Sequence, residues 1–250
     1  DAHHMNFKDI SGVIDYCKNN EIKILFANNY TTQMQIQKNE KLLCKSGLMF
    51  IVNKEETLKN FVDKQKFYDI MIKNTLGEYV PKYYTKEGDI KFPCMVKIKA
   101  GGAGRGVFLA YNKKDLKDVG DDMIISEYLS SSTEYATSIF YKNGEILKDI
   151  TFSKKSTKDI YILQQESKKE IITKREDTRF LDIFKKIMDI FTPEGEYCQC
   201  SINYKIQDGK PKIFEINPRI GYTLAGFCGD FKEMMDVYMH EILKKKQNSG

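Results

Sequence analysis

The sequence predicts an α/β protein of mixed α+β character, with a short parallel piece in front of a longer, largely antiparallel body. Three observations carry that prediction. Helical and strand patterns alternate from residue 8 to about 62. From Tyr79 to Tyr141 the chain is rich in β-formers punctuated by turns. Two hairpin signals, Asn143-Gly144 and Asp208-Gly209, each separate two strand-like runs.

In chain order, a helix over about 9–19 precedes a strand, Ile22–Ala27. Thr31 or Thr32 can cap a helix running to about Lys45, closed by Gly47, and Leu48–Val52 reads as a second strand. Strand, helix and strand with short breaks suggest a parallel unit. A helix from Lys54 to about Asn74 follows, with Phe61, Phe67, Ile70 and Met71 as its apolar stripe. The two hairpins join Ala136–Tyr141 to Glu145–Phe152 and Cys198–Ile206 to Lys210–Ile216. Helical spacing of Phe180, Ile183, Phe184 and Ile187 places a helix over about 176–191, and another covers 230–246. The lysine-rich stretch 153–176 reads as a mobile surface region.

A chain of 250 residues with 41% hydrophobic and 30% charged residues is globular, and it has no apolar run long enough to span a membrane. Forty Lys and Arg against 35 Asp and Glu give a net charge of +5, yet only Arg105, Arg175, Arg179 and Arg219 are arginine. Scattered lysines without arginine forks describe a solvated surface, so nucleic acid and membrane are not the expected partners. His3 and His4 sit in an opening that looks like a tag remnant over residues 1–5, with Met5 as the natural start. His240 is then the only native histidine, which excludes a Ser-His-Asp or Cys-His machine and most catalytic zinc sites. The six cysteines show no CxxC pair and read as small buried hydrophobes in a reduced, cytoplasmic protein. Any chemistry must run on lysine, arginine, carboxylates, amides and backbone.

Three motifs carry such chemistry. In Met95-Val-Lys-Ile-Lys-Ala-Gly-Gly-Ala-Gly-Arg-Gly106, a β run bearing Lys97 and Lys99 enters a loop with four glycines in six positions and leaves as another β run. Glycine lets backbone N–H groups approach phosphate oxygens, and lysine adds point charge. A strand follows the loop, so it is no Rossmann fingerprint, and without Gly-Lys-Ser/Thr it is no Walker loop. A plain flexible hairpin also accounts for the glycines. In Phe214-Glu-Ile-Asn-Pro-Arg219, Glu215 and Asn217 lie two apart on a strand and share a face. A carboxylate and an amide oxygen there suit a hard cation such as Mg²⁺, and Arg219 can grip phosphate. In Glu127-Tyr-Leu-Ser-Ser-Ser-Thr-Glu134, a link between strands can offer backbone groups to a base edge and a carboxylate to ribose hydroxyls.

In this order the three motifs resemble the ATP-grasp superfamily over residues 63–223, closest to its carbamoyl-phosphate-synthase-like and biotin-carboxylase-like branch. The resemblance implies two α+β subdomains clasping ATP over residues 63–250, with a lid over about 78–128, behind a short α/β segment at 6–62. It implies that Lys97 and Lys64 contact phosphates while Gly101, Gly102, Gly104, Arg105 and Gly106 close over them. Glu127, Tyr128 and Ser130 would hold the adenine edge, Glu134 the ribose, and Met95 and Phe214 would wall the base. Glu215, Asn217 and, twelve residues before Glu215, Asn203 would hold two Mg²⁺ ions, with Mn²⁺ as a substitute. Arg219 and Lys97 would act on the transferred phosphoryl group.

Two departures accompany the resemblance. Many members carry Asp or Glu where this chain has Asn203, and the amide is similar to the carbamoyl-phosphate-synthase-like branch. A strict two-residue Asp208-Gly209 turn would place Asn203 and Glu215 on opposite faces, so they converge only through an odd turn count or a bulge. Only about 58 native residues precede Asp63, fewer than members usually have, which fits either a trimmed or a naturally short chain.

The resemblance implies a ligase in which a small-molecule carboxylate attacks ATP to give an acylphosphate that an amine displaces. A phosphotransferase on the same fold and a non-catalytic nucleotide-binding module are the alternatives. Arg175, Arg179 and Gly221–Thr223 are candidates for the acceptor end, although both arginines also suit an ordinary surface. Oligomeric state is open, a dimer included.

Overall fold

The computed structural model describes residues 9–101, 106–156 and 170–247. Residues 1–8 and Gly102, Gly104 and Arg105 lie outside the described residues.

The front segment begins with α1 (Ile10–Asn19), capped by the Asp9 carboxylate, which accepts from Gly12 N–H at 3.0 Å. The helix expected over 31–45 is two helices, α2 (Tyr30–Lys38) and α3 (Glu40–Lys45). Asn39 marks the joint, its side-chain amide competing for the Gln35 carbonyl at 2.8 Å. The strands expected at 22–27 and 48–52 run parallel but meet through a single bridge, Ile24 with Met49. Leu25, Ala27, Leu48 and Phe50 bury against α1 to α3 and supply the cohesion that the ladder does not.

The long helix expected over 54–74 is also broken, into α4 (Glu55–Val62) and α5 (Lys64–Lys73). At the break, Asp63 turns extended and its carboxylate caps α5 through Gln65 and Lys66 N–H at 3.0 and 3.1 Å. Its backbone forms an antiparallel bridge with Ala100, and Lys64 N–H donates to the Lys99 carbonyl at 2.9 Å. A tertiary contact therefore sets this boundary, where local periodicity alone extends the helix.

Two antiparallel sheets follow. The smaller joins β1 (Tyr83–Tyr84), β2 (Cys94–Ile98), β3 (Phe108–Ala110) and β4 (Met123–Glu127) in the order β1-β4-β2-β3. Cys94, Val96, Ala110 and Ile125 bury one face of it. By strand alternation, Met95 and Lys97 project from the other. The larger sheet joins β5 (Thr133–Lys142), β6 (Glu145–Ser156), β7 (Glu170–Arg175), β8 (Tyr197–Gln207) and β9 (Lys210–Asn217) in the order β7-β6-β5-β8-β9. Both ends of the stretch 153–176, expected to be mobile surface, are strand here: β6 runs on to Ser156 and the β-forming Ile171-Ile172-Thr173 pairs with it in β7.

Helix α6 (Leu181–Phe191) and helices α4 and α5 cover one face of the larger sheet, burying Phe61, Phe67, Phe184, Cys200, Ile202 and Tyr204. Helix α6 starts five residues later than expected: after β7 ends at Arg175, residues 176–180 form a loop and turn. Helix α7 (Cys228–Gln247) and the front segment cover the other face around Phe140, Phe152, Tyr238 and Ile51. Of the cysteines, Cys17, Cys94, Cys198 and Cys200 are buried as expected, whereas Cys44 and Cys228 are exposed. Among the described residues, no helix is long and apolar enough to cross a membrane.

Candidate functional site

The β8–β9 hairpin decides where the motif residues point. Asp208 and Gly209 have φ of 51° and 73°, the left-handed pair of a two-residue turn, and Gln207 pairs with Lys210. That register alone would set Asn203 opposite Phe214. Instead the pairing slips between Asn203 and Tyr204: Tyr204 faces Ile213 and Asn203 faces Glu215, leaving Phe214 as the extra residue of a bulge. The bulge, and not the turn, brings Asn203 and Glu215 to one face. The fully buried Tyr68 on α5 fastens it, its hydroxyl donating to the Phe214 carbonyl at 3.0 Å.

On that face the Asn203 and Asn217 amides donate to Glu215 Oε2 at 3.3 and 3.1 Å. The other oxygen, Oε1, lies 3.1 Å from Lys64 Nζ, which also donates to the Gly101 carbonyl at 2.7 Å. Lys64 thus ties the glycine loop of the small sheet to the carboxylate of the large one, with its side chain only 8% exposed. Lys97 reaches into the same space from β2, its ammonium 4.9 Å from the centre of the Phe214 ring. Burial, with Lys64 second, pulls its pKa down to about 8, against the opposing pull of Glu215 and Glu134. Arg219 is half-buried, donates to the Ile220 carbonyl at 3.2 Å and feels the Glu215 charge, which partly offsets the lowering of its pKa by burial.

The link between the sheets carries the second group. Glu127 ends β4 with Oε1 3.6 Å from Lys212 Nζ, and this buried oxygen has no hydrogen-bond donor among the described residues. Lys205 is buried, donates to the Leu129 carbonyl at 3.0 Å and lies 5.9 Å from the centre of the Tyr128 ring. Burial lowers its pKa, opposed by Glu134 on β5. Ser130 is exposed beside them, and Met95 is half-buried on β2. Gly106 has φ of +63°, and a Cβ there would meet Ile98 Cδ1 at 2.4 Å, so a larger residue would be strained and would force Ile98 to shift.

Lys64, Lys97, Gly101, Asn203, Phe214, Glu215 and Asn217 are therefore joined by direct contacts. Arg175 and Arg179 bind locally instead, the first to Ser153 Oγ at 2.8 Å and the second in an ion pair with Asp177 over the Phe180 ring. Tyr68, Lys205 and Lys212 contact this group although no sequence motif marks them. Lys205 lies two residues beyond Asn203 on the same strand, so strand alternation could have found it. Tyr68 gives no such signal, because its partner lies 146 residues away.

The arrangement sets two lysines and an arginine around one carboxylate, with a polar link at one end, and can offset negative charge brought to it. Among the described residues no cluster of three His, Cys, Asp or Glu side chains could hold a metal. The carboxylate of Glu215 flanked by two amides is nonetheless a set of hard oxygen donors, suited to Mg²⁺ when phosphate oxygens and water complete its octahedron.

No family model and no curated protein matches the chain. Solved structures do. The D-alanine–D-alanine ligase of Bacillus anthracis aligns with a TM-score of 0.60 at 17% identity, covering 99% of this chain and 87% of that one. The L-amino acid ligase of Bacillus licheniformis aligns at 0.59 and 14% identity, over 88% of this chain and 55% of that. Biotin carboxylase of Campylobacter jejuni, complexed with β-γ-ATP, aligns at 0.59 and 17% identity, over 87% of this chain and 53% of that. At these identities the likeness is one of fold, and it reaches the front segment that the motifs leave out.

Proposed function

We propose that this chain, which has the ATP-grasp fold, is an ATP- and Mg²⁺-dependent ligase acting on a small-molecule carboxylate and an amine. One observation supports it most: four separate elements, α5, β2, β8 and β9, bring Lys64, Lys97 and the Asn203–Glu215–Asn217 face together. In this reading the triphosphate lies between the two sheets with its base against the link 127–134. Met95 and Phe214 would flank the base, the Glu127 carboxylate would accept from its exocyclic amine, and Glu134 would accept from the ribose. Lys64 and Lys97 offset charge on the phosphate chain, which is where such catalysis draws most of its rate.

Asn203, Glu215 and Asn217 would hold Mg²⁺, which neutralises charge on the phosphate oxygens when bound. A carboxylate oxygen attacks the γ-phosphorus as the bond to the bridging β–γ oxygen breaks, releasing ADP and leaving an acylphosphate. The amine nitrogen then attacks the acyl carbon, phosphate departs and the nitrogen loses a proton. Arg219, at the end of the Glu215 face, would hold the transferring group. No side-chain nucleophile and no histidine is needed.

The test is Glu215→Gln, assayed for ADP release across a panel of carboxylic acids and amines. Loss of at least about a hundredfold in turnover is expected, because the single carboxylate of the donor set is removed. Turnover at the wild-type rate would overturn the metal assignment.

A further inference from the structure

The front segment reaches the candidate site through a buried network of side-chain amides. Strand β9 ends at Asn217, paired with Ser201, and Pro218 has no N–H with which to continue the ladder. The next ladder position on β8, Gln199, is taken instead by the side chain of Asn53. Asn53 Oδ1 accepts from Gln199 N–H at 2.7 Å, and Nδ2 donates to the Gln199 carbonyl at 2.9 Å. One amide thus stands in for a missing strand residue. The same Nδ2 donates to the Pro218 carbonyl at 3.2 Å. Gln33 on α2 donates to that carbonyl too, and its Oε1 accepts from Asn53 N–H at 3.0 Å. Gln33, Asn53 and Gln199 are all 0% exposed.

What this network grips is the corner between the two functional ends of the motif. Arg219 N–H donates back to the Asn217 carbonyl at 2.7 Å, a three-residue turn centred on Pro218. Two residues on, Gly221 N–H donates to Ser138 Oγ at 3.1 Å. The turn aims Asn217 toward Glu215 and sends Arg219 back past it. Its own backbone closes the corner with a single bond, and the two donors on the Pro218 carbonyl add to what fixes its orientation.

We propose that Gln33 and Asn53 are positioning residues for this corner: through the Pro218 carbonyl they hold the Asn217 amide and the Arg219 guanidinium in register with Glu215. The inference rests on the proposed nucleotide reading for its consequence, and on the hydrogen bonds alone for its premise. The front segment is then part of the site's scaffold as well as its neighbour.

Asn53→Ala would orphan two buried main-chain groups, the Gln199 N–H and carbonyl, and is prone simply to unfold, so the informative variant is Gln33→Met, which keeps volume and removes both Gln33 bonds. Two measurements on the full chain separate the outcomes. Hydrogen exchange of peptides covering 215–221 should quicken about tenfold at Arg219 and Gly221, with α6 and α5 unchanged. Calorimetry with Mg·ATP should show affinity lowered about tenfold, while ATP in excess chelator binds as to wild type, since only the metal and γ-phosphate end depends on the corner. Unchanged exchange at the corner overturns the proposal whatever the ligand does. Faster exchange with unaltered Mg·ATP affinity overturns it too, reducing Gln33 to a structural amide. Wild-type protein that binds no Mg·ATP refutes the nucleotide reading instead, and the exchange result alone then judges whether Gln33 holds the corner.

Discussion

Lys97 offers the sharpest quantitative handle on the site, because its ionisation falls in an accessible range. Burial in the cleft, with Lys64 nearby, pulls it from 10.5 to about 8. Such a lysine is about nine-tenths charged at pH 7 and about one-tenth charged at pH 9. If its ammonium contacts phosphate, Mg·ATP affinity is full below about pH 8 and falls about tenfold per pH unit above it. Bound phosphate also raises the pKa, so binding at pH 9 should take up close to one proton. Stability of the unliganded protein moves the other way. Between about 8 and 10.5 the unfolded chain holds this proton and the folded chain does not, so this group's contribution to stability rises with pH over that window. Calorimetry at several pH values, in buffers of different ionisation enthalpy, measures both affinity and proton uptake. In Lys97→Arg the charge persists, and the fall above pH 8 should vanish. An affinity flat from pH 7 to about 9.5 in the wild type, or a fall that survives in Lys97→Arg, would refute the assignment.

Three further outcomes are expected. Tyr68→Phe strips the donor from the Phe214 carbonyl at the bulge, costing about 1–3 kcal/mol in urea unfolding for one buried acceptor left unpaired, and should weaken Mg·ATP binding because the bulge sets the Asn203–Glu215 face. Asn203→Asp puts a second carboxylate about where an amide now donates to Glu215 Oε2 at 3.3 Å. Without metal it should lower the melting temperature, and with Mg²⁺ it should recover it and bind the ion about tenfold tighter or better, a contrast read from melting curves over a magnesium titration. Gly221→Ala would set a Cβ 2.9 Å from both Ser138 Oγ and Ser201 Oγ, and the overpacking should cost about 1–3 kcal/mol in the same urea assay.

Much of the larger sheet was legible in the sequence. Asn143-Gly144 and Asp208-Gly209 both form the two-residue turns their chemistry demands, with positive φ at all four residues. Strand period placed Glu215 and Asn217 on one face, and turn arithmetic showed that Asn203 could join them only through a bulge or an odd turn. What lay beyond reach was tertiary. Asp63 breaks a helix that its neighbours favour because Ala100 pairs with it across the cleft. The front strands, readable as a parallel unit, shrink to one bridge because their apolar residues are satisfied by α1 to α3. Tyr68, Gln33 and Asn53 act on partners 146 to 185 residues away, and no local pattern marks a polar residue for such a contact. Lys205 is a different case: strand alternation puts it on the Asn203 face, but among 36 lysines its residue type alone does not mark it as buried.

In the proposed reaction a carboxylate attacks the γ-phosphate of ATP at the Glu215 face. Hydroxylamine, a small nucleophile that intercepts acylphosphates, tests it most directly when supplied in place of the amine with Mg·ATP and pooled carboxylic acids. A hydroxamate formed one-to-one with ADP is expected, with both lost in Glu215→Gln. Release of AMP, or a stable phosphorylated product accumulating with no hydroxamate, would contradict it.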